Sequence, residues 1–324
     1  MSSRRNFLRR LAGVPALAAT SAWAQERYPS RPIRVVVPLT AGSSIDARAR
    51  NICDILGERT RWNVIVDNRP GAGGNIGATA VARSAADGHT LLYWNNTYNI
   101  NPHVYRAPGY EPRDFAPITP VTASAVAVVV NANSPARTLH EFVSLARARP
   151  GALSYASSGV GSAPHFATAL FAHNARIELL HVPFKGDGQS VPEVVAGRVD
   201  VAFAGVPAVV PHIKAGSLRP LAVSTAKRVA ALPEVPTYAE LGFAAAEFTA
   251  WTGLLAPAAT PRPVVLTLHR ELVAAAATPR AAAFRELSGA FAFTTNTPEE
   301  FAAFLNAEYL RFARLVRELD LRIE

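Results

Sequence analysis

Apolar positions along this chain follow two alternating rhythms. Short runs such as Ile33-Arg34-Val35-Val36-Val37, Val64-Ile65-Val66 and Thr90-Leu91-Leu92-Tyr93-Trp94 have the length and β-branched character of strands. Between them, apolar residues return at helical spacing. Ile45, Ala49, Ile52, Cys53 and Leu56 form one stripe on a helix over residues 45–59, and a second helix covers residues 75–84. Strand–helix alternation of this kind predicts a parallel sheet with helices on both faces.

The pattern resumes after a β-rich run at 126–130. Thr138-x-x-Glu141 is a capping box that opens a helix ending before Pro150. A strand at 153–156, a helix at 162–173, a strand at 179–182, a helix at 190–196 and strands at 199–203 and 221–224 follow. Residues 248–256 read as a long extended return to the first set. Thr297-Pro298-Glu299-Glu300 starts a terminal helix with apolar residues at 301, 304, 305, 312, 315, 316 and 319. Its acids sit at the start and Arg311, Arg314 and Arg317 toward the end, as the helix dipole favours. The T-x-x-E boxes at Thr138, Thr237 and Thr297 all read as helix starts. The expected organisation is two α/β lobes, residues 25–120 plus 246–324 and residues 121–245. The crossings near 115–130 and 245–256 would form a hinge.

The first 24 residues change the picture. Arg4, Arg5, Arg9 and Arg10 precede a short apolar stretch, and Ala22-Trp23-Ala24 is a small-x-small cleavage site. This is the layout of a bacterial export signal, and Ser3-Arg4-Arg5-Asn6-Phe7-Leu8 fits the twin-arginine pattern. The chain is expected to be exported to the periplasm with Gln25 as its new N-terminus. Removing those four arginines from the 33 basic residues leaves 29 against 24 acidic ones, so the formal charge of +9 falls to about +5. The remaining charge is dispersed and argues against nucleic-acid binding. Export also argues against nucleotide cofactors, and none is expected. Cys53 is the only cysteine, which excludes an internal disulfide and predicts a buried, inert thiol.

Two loops are the candidates for chemistry. The first, Pro38-Leu39-Thr40-Ala41-Gly42-Ser43-Ser44-Ile45-Asp46, joins a strand end to a helix start, where free N–H groups favour an anion. Asp46 either satisfies the helix terminus or fixes the loop, or else meets an amine or water of a ligand. The second, Ser157-Ser158-Gly159-Val160-Gly161-Ser162-Ala163-Pro164-His165, repeats the design in the other lobe. Together the two could grip both ends of a small dicarboxylate. A hydrolase using Ser162 and His165 is an alternative, weakened by the lack of a G-x-S-x-G elbow. The scattered histidines show no metal-ligand spacing, and Gly71-Ala72-Gly73-Gly74-Asn75-Ile76 misses the third glycine of a dinucleotide loop. Tyr93, Trp94, Phe184, Phe203 and Trp251 lie near strand ends, where they either line a cleft or pack the core.

These loops, together with Tyr28-Pro29-Ser30-Arg31-Pro32-Ile33-Arg34, Asn68-Arg69-Pro70-Gly71-Ala72-Gly73-Gly74-Asn75-Ile76-Gly77, Asp87-Gly88-His89-Thr90, His181-Val182-Pro183-Phe184-Lys185-Gly186 and Gly197-Arg198-Val199-Asp200, carry a resemblance. The chain resembles the Bug family, the extracytoplasmic receptors of tripartite tricarboxylate transporters. The resemblance implies a two-lobed periplasmic-binding-protein fold of type II-like organisation, each lobe a mostly parallel sheet flanked by helices, with the cleft between the lobes. It further implies a monomeric receptor, not an enzyme, that takes a small organic acid and hands it to membrane permease subunits. A ligand sensor for a membrane kinase would look the same. Carried onto this chain, the ligand-binding residues would be Thr40, Gly42, Ser43 and Asp46 of the first loop and Ser157, Ser158, Ser162 and His165 of the second. Phe203 and Gly205 join them at another strand end. Ser43 departs from the pattern, because it stands where such receptors usually carry a second glycine.

Overall fold

A computed structural model describes residues 28–318 except 161, 185, 294 and 296. The expected signal segment, its twin-arginine pattern and its cleavage site lie outside the described residues. So do Gly161, Lys185 and Leu319.

Strand β1 (Ile33–Val37) pairs in parallel with β2 (Val64–Asn68) and β3 (Thr90–Asn95), linked through helices α1 (Ser44–Thr60) and α2 (Asn75–Ala82). The apolar stripe of α1 is buried as its spacing predicts, including Ile52, Cys53 and Leu56. Burial pushes the Cys53 thiol up to about 12, which keeps it protonated and unreactive. Helix α3 (Thr97–Val104) follows β3 directly.

Strand β4 (Phe115–Asn131) is the backbone of the molecule, at 17 residues. Its first part pairs with β9 (Thr249–Pro257), from Phe115 opposite Pro257 to Ala125 opposite Thr249. From Val126 onward it pairs with β7 (Val201–Gly205) on one side and β8 (Leu218–Val223) on the other. Sequence patterning finds only the 126–130 portion because Pro117 and Pro120 read as strand breakers. The register shifts at both prolines, so each sits at an irregularity where no ladder donor is needed.

The second set holds α4 (Leu139–Ala148), β5 (Ser154–Ser157), α5 (Ala163–Ala175), β6 (Leu180–Pro183), α6 (Asp187–Val195) and α7 (Val206–Lys214). Strand β5 runs parallel to β6 and β7. The sheet order is β2-β1-β3-β9-β4-β7-β5-β6. Pairing is parallel within each set, whereas β4 and β9 run antiparallel to their neighbours, so each half is a mixed sheet. Strand β4 runs through both sets and β8 also pairs with it antiparallel, whereas β9 pairs with β3 and β4 alone. Ser224 ties the crossings together, donating to Phe248 O at 2.5 Å and accepting from Val126 N at 3.0 Å.

Helices α8 (Arg262–Ala276) and α9 (Pro279–Leu287) and the short strand β10 (Ala290–Ala292) precede the terminal helix α10 (Pro298–Glu318). Helix α10 packs on both halves. Phe301 meets Trp251 at 5.6 Å between ring centroids, and Phe312 meets Phe166 of α5 at 6.1 Å. The three T-x-x-E boxes do not share one outcome. Thr138 caps α4, and Thr297 caps the first turn of α10. Thr237 and Glu240 make both capping-box bonds, at 3.2 and 2.8 Å, yet close only a turn. The chain leaves that turn at Gly242, whose φ of 82° ends any helical path.

Candidate functional site

A cavity of about 350 Å³ opens between the two halves. The first half contributes Leu39, Ser43, Ser44, Ile45 and Arg48, then Gly73, then Asn95, Asn96, Thr97, Asn101 and Tyr105. The second contributes Ser158, Val160, Ser162, Ala163, Pro164, Asp187 and Gly205. Ser124, Ala125 and Val126 of β4 and Ala250, Trp251 and Thr252 of β9 complete the wall.

Five helices begin at this wall: α1 at Ser43 and Ser44, α3 at Asn96 and Thr97, α5 at Ser162 and Ala163, α6 at Asp187 and α7 at Gly205. A helix N-terminus carries unpaired N–H groups and a partial positive charge. Strand ends generate this arrangement, because each helix follows a strand whose carboxyl end faces the cavity. Ser43 and Ser162 are matching N-caps: each extended, each accepting from the N–H three residues on, at 3.2 and 3.3 Å.

Among the described residues two charged side chains border the cavity, one from each half. Arg48 lies one turn into α1, off its apolar stripe. Its Nε is closed off from solvent and has no hydrogen-bond partner. Burial lowers the guanidinium from its usual value, while Tyr93 and Asp187 pull the other way. Asp187 accepts from Gly205 N at 3.1 Å through Oδ2 and from the Ser158 hydroxyl, and its Oδ1 has no partner. Burial raises the Asp187 carboxyl above the ordinary range, against the lowering pull of Gly205 N–H, Ser158 and Arg48.

Of the residues expected from sequence, Ser43, Ser158, Ser162 and Gly205 border the cavity. Six others do not. Thr40 and Gly42 sit on the exposed outer turn of the first loop. The Asp46 carboxylate faces that turn, accepting from Gly42 N at 2.8 Å, Asn68 Nδ2 at 2.9 Å and Arg50 Nε at 3.0 Å. Burial alone would raise its pKa, and these hydrogen bonds more than offset it, holding Asp46 below its usual value. It fixes the loop. Ser157 is buried behind the second loop, bonded to His181 Nε2 at 2.7 Å. His165 stacks on His181 behind the same loop. Phe203 is core, packed edge-on to Tyr155 and against Phe171. Among the aromatics, Tyr93 and Trp94 are fully buried, and Trp251 borders the cavity.

Sequence reasoning missed Arg48, Asp187 and the polar start of α3. Asn96 is fully buried and clamps β9, accepting from Trp251 N at 2.9 Å and donating to Thr249 O at 3.0 Å. Asn101 donates to Gly73 O at 3.0 Å and to Asn75 Oδ1 at 2.7 Å, tying the glycine loop to α3. The run Asn95-Asn96-Thr97 directly after a strand was the available signal, since it occupies the same strand-end position as the two serine loops.

The family described as "Tripartite tricarboxylate transporter family receptor" matches residues 48–321. The chain belongs to this family. BugT from Bordetella pertussis is 31% identical over 98% of this chain and 100% of its own length. Among solved structures, an R. palustris protein with adipate has a TM-score of 0.79 at 32% identity, covering 90% of this chain and 98% of that one. MatC from Rhodopseudomonas palustris with bound malate has a TM-score of 0.77 at 28% identity, covering 89% and 100%. Among the described residues no helix is long and apolar enough to cross a membrane.

Proposed function

We propose that this protein is an exported, periplasmic receptor that captures a small organic carboxylate between its lobes and delivers it to membrane permease subunits of a tripartite tricarboxylate transporter. One observation carries the reading: five helix N-termini from both halves, with the Arg48 guanidinium, surround a single cavity. Partial positive charge and free N–H groups from both sides suit a carboxylate and reward closure around it. Family membership and the adipate and malate held by two similar structures support the same class of ligand.

The hydrolase alternative has no support. The Ser162 hydroxyl serves as a helix cap, and the His165 ring is stacked on His181.

The test is thermal unfolding of the mature protein against a panel of mono-, di- and tricarboxylates, with amino acids and amides included. A ligand at 100 times its Kd adds roughly 2.7 kcal/mol, which raises Tm by at least ~2 °C. A shift with a carboxylate supports the receptor. No shift with any of them, and no carboxylate released from the denatured protein in mass spectrometry, would sink it.

A further inference from the structure

The cavity wall carries one cationic and one anionic side chain among the described residues, and they come from opposite halves: Arg48 from α1 and Asp187 from the start of α6. We infer that the preferred ligand is a small zwitterion, an amino acid whose carboxylate meets Arg48 and the helix N-termini and whose ammonium group meets Asp187. This rests on the receptor reading above and narrows it.

The argument is one of unmet hydrogen-bonding demand and of charge. No hydrogen bond among the described residues engages the Arg48 guanidinium, and its Nε is a buried donor without an acceptor. Asp187 is held in place through Oδ2, by Gly205 N–H and the Ser158 hydroxyl, while Oδ1 is a buried acceptor without a donor. A buried polar atom left unpaired is costly, and on a cavity wall it is placed to meet a ligand; the Trp251 indole N–H, on the same wall, is a further donor without an acceptor. Arg48 asks for an acceptor and Asp187 for a donor. The serine hydroxyls and asparagines on the wall do not discriminate, because they serve either role.

Charge decides between ligand classes. Arg48 and Asp187 sum to zero, and a zwitterion keeps the closed cavity neutral with each charge facing its opposite. A dicarboxylate satisfies Arg48 at one end but sets its second carboxylate against Asp187, and like charges at close range repel. An ammonium group supplies the donor that Oδ1 lacks and removes that repulsion.

Matched pairs of equal chain length test this: 4-aminobutanoate against succinate, 5-aminopentanoate against glutarate, and 6-aminohexanoate against adipate, with α-amino acids alongside. Titration calorimetry on the mature wild-type protein is expected to give the best amino acid at least 10-fold tighter binding than its matched diacid. Asp187→Asn keeps the size and hydrogen bonds of the side chain but removes its charge. It is expected to weaken amino-acid binding at least 10-fold and to strengthen diacid binding. Arg48→Gln is expected to weaken both series. Diacids binding as tightly as amino acids to the wild type would overturn the inference and leave the receptor intact, as would binding by tricarboxylates alone. Failure of every carboxylate to bind, with none released from the denatured protein, would bring down the receptor reading as well.

Discussion

His165 and His181 stack face to face with ring centroids 4.4 Å apart and planes 6° apart, and Tyr155 continues the stack below His181 at 4.6 Å. Neither imidazole tolerates a proton well in this position. Burial and the neighbouring His181 bring His165 down to about 4, and burial lowers His181. The unfolded chain protonates His165 near 6.5, so between pH 6.5 and 4 the unfolded state binds more protons. Stability is therefore complete above pH 6.5 and is lost as pH falls toward 4. At pH 5 the His165 contribution alone is a loss of about 2 kcal/mol. Urea unfolding at pH 7.5 and pH 5 checks this when wild type is compared with a His165 variant, because His181, His103, Asp187 and Glu308 are shifted by burial too. His165→Phe is expected to flatten the pH dependence by a similar amount, and an unchanged slope would refute the assignment.

The Asp46 carboxylate is engaged by the first loop. Asp46→Ala removes the acceptor of Gly42 N–H and one acceptor each of Asn68, which keeps Leu39 O, and of Arg50, which keeps Asn68 Oδ1. The expected loss is about 2–4 kcal/mol. Denaturant melts should show it with no ligand present, which separates a loop-fixing role from ligand contact.

Asn96 links α3 to the crossing strand β9 through two backbone partners, Thr249 and Trp251, at the cavity wall. Asn96→Ala strands a buried N–H and a buried carbonyl, at about 2–4 kcal/mol. Asn96→Asp keeps one acceptor but removes the donor, and should fall between the wild type and Asn96→Ala in chemical denaturation.

Ser43 sits where the resemblance expects glycine, yet its φ of −69° is open to any residue. Its hydroxyl is turned to Asp46 N, so its role is that of a helix cap. Ser43→Gly should change stability by only a few tenths of a kcal/mol, since glycine is a tolerated cap, whereas Ser43→Ala should cost about 1 kcal/mol. Because Ser43 borders the cavity, Ser43→Gly should also shift the ranking of ligands in the thermal panel. An unchanged ranking would show that the extra hydroxyl plays no part in selection.

Patterning located β1, β3 and α1 nearly to the residue, because each has its own strong period and a clear stop. It failed at the first part of β4, where Pro117 and Pro120 mask a strand whose partners tolerate a missing donor. It failed in the opposite sense at Thr237, where correct capping chemistry has no helix behind it. At the site, the serine loops were legible because Ser43 and Ser162 are local caps, readable from three or four residues. Asp46 and His165 belong to the same loops, but their side chains turn away from the cavity. That choice depends on Asn68 and Arg50 in one case and on His181 in the other. Asp46 and Asn68 are 22 residues apart in sequence, too far for a local pattern to register.

By itself the sequence determined what depends on neighbours along the chain: most strands and helices, the first part of β4 and the turn at Thr237 apart, the caps at Ser43, Thr138, Ser162 and Thr297, and that strand ends lead into serine-rich loops. It also carried the family, through motifs spread over the chain. Only the tertiary structure decided which of those residues share a wall. Arg48 and Asp187 meet one cavity because α1 and α6 begin at strand ends on opposite halves, joined by the crossings of β4 and β9. An unpaired donor and an unpaired acceptor are invisible in sequence, since every polar side chain carries unmet demand until folding assigns its partners.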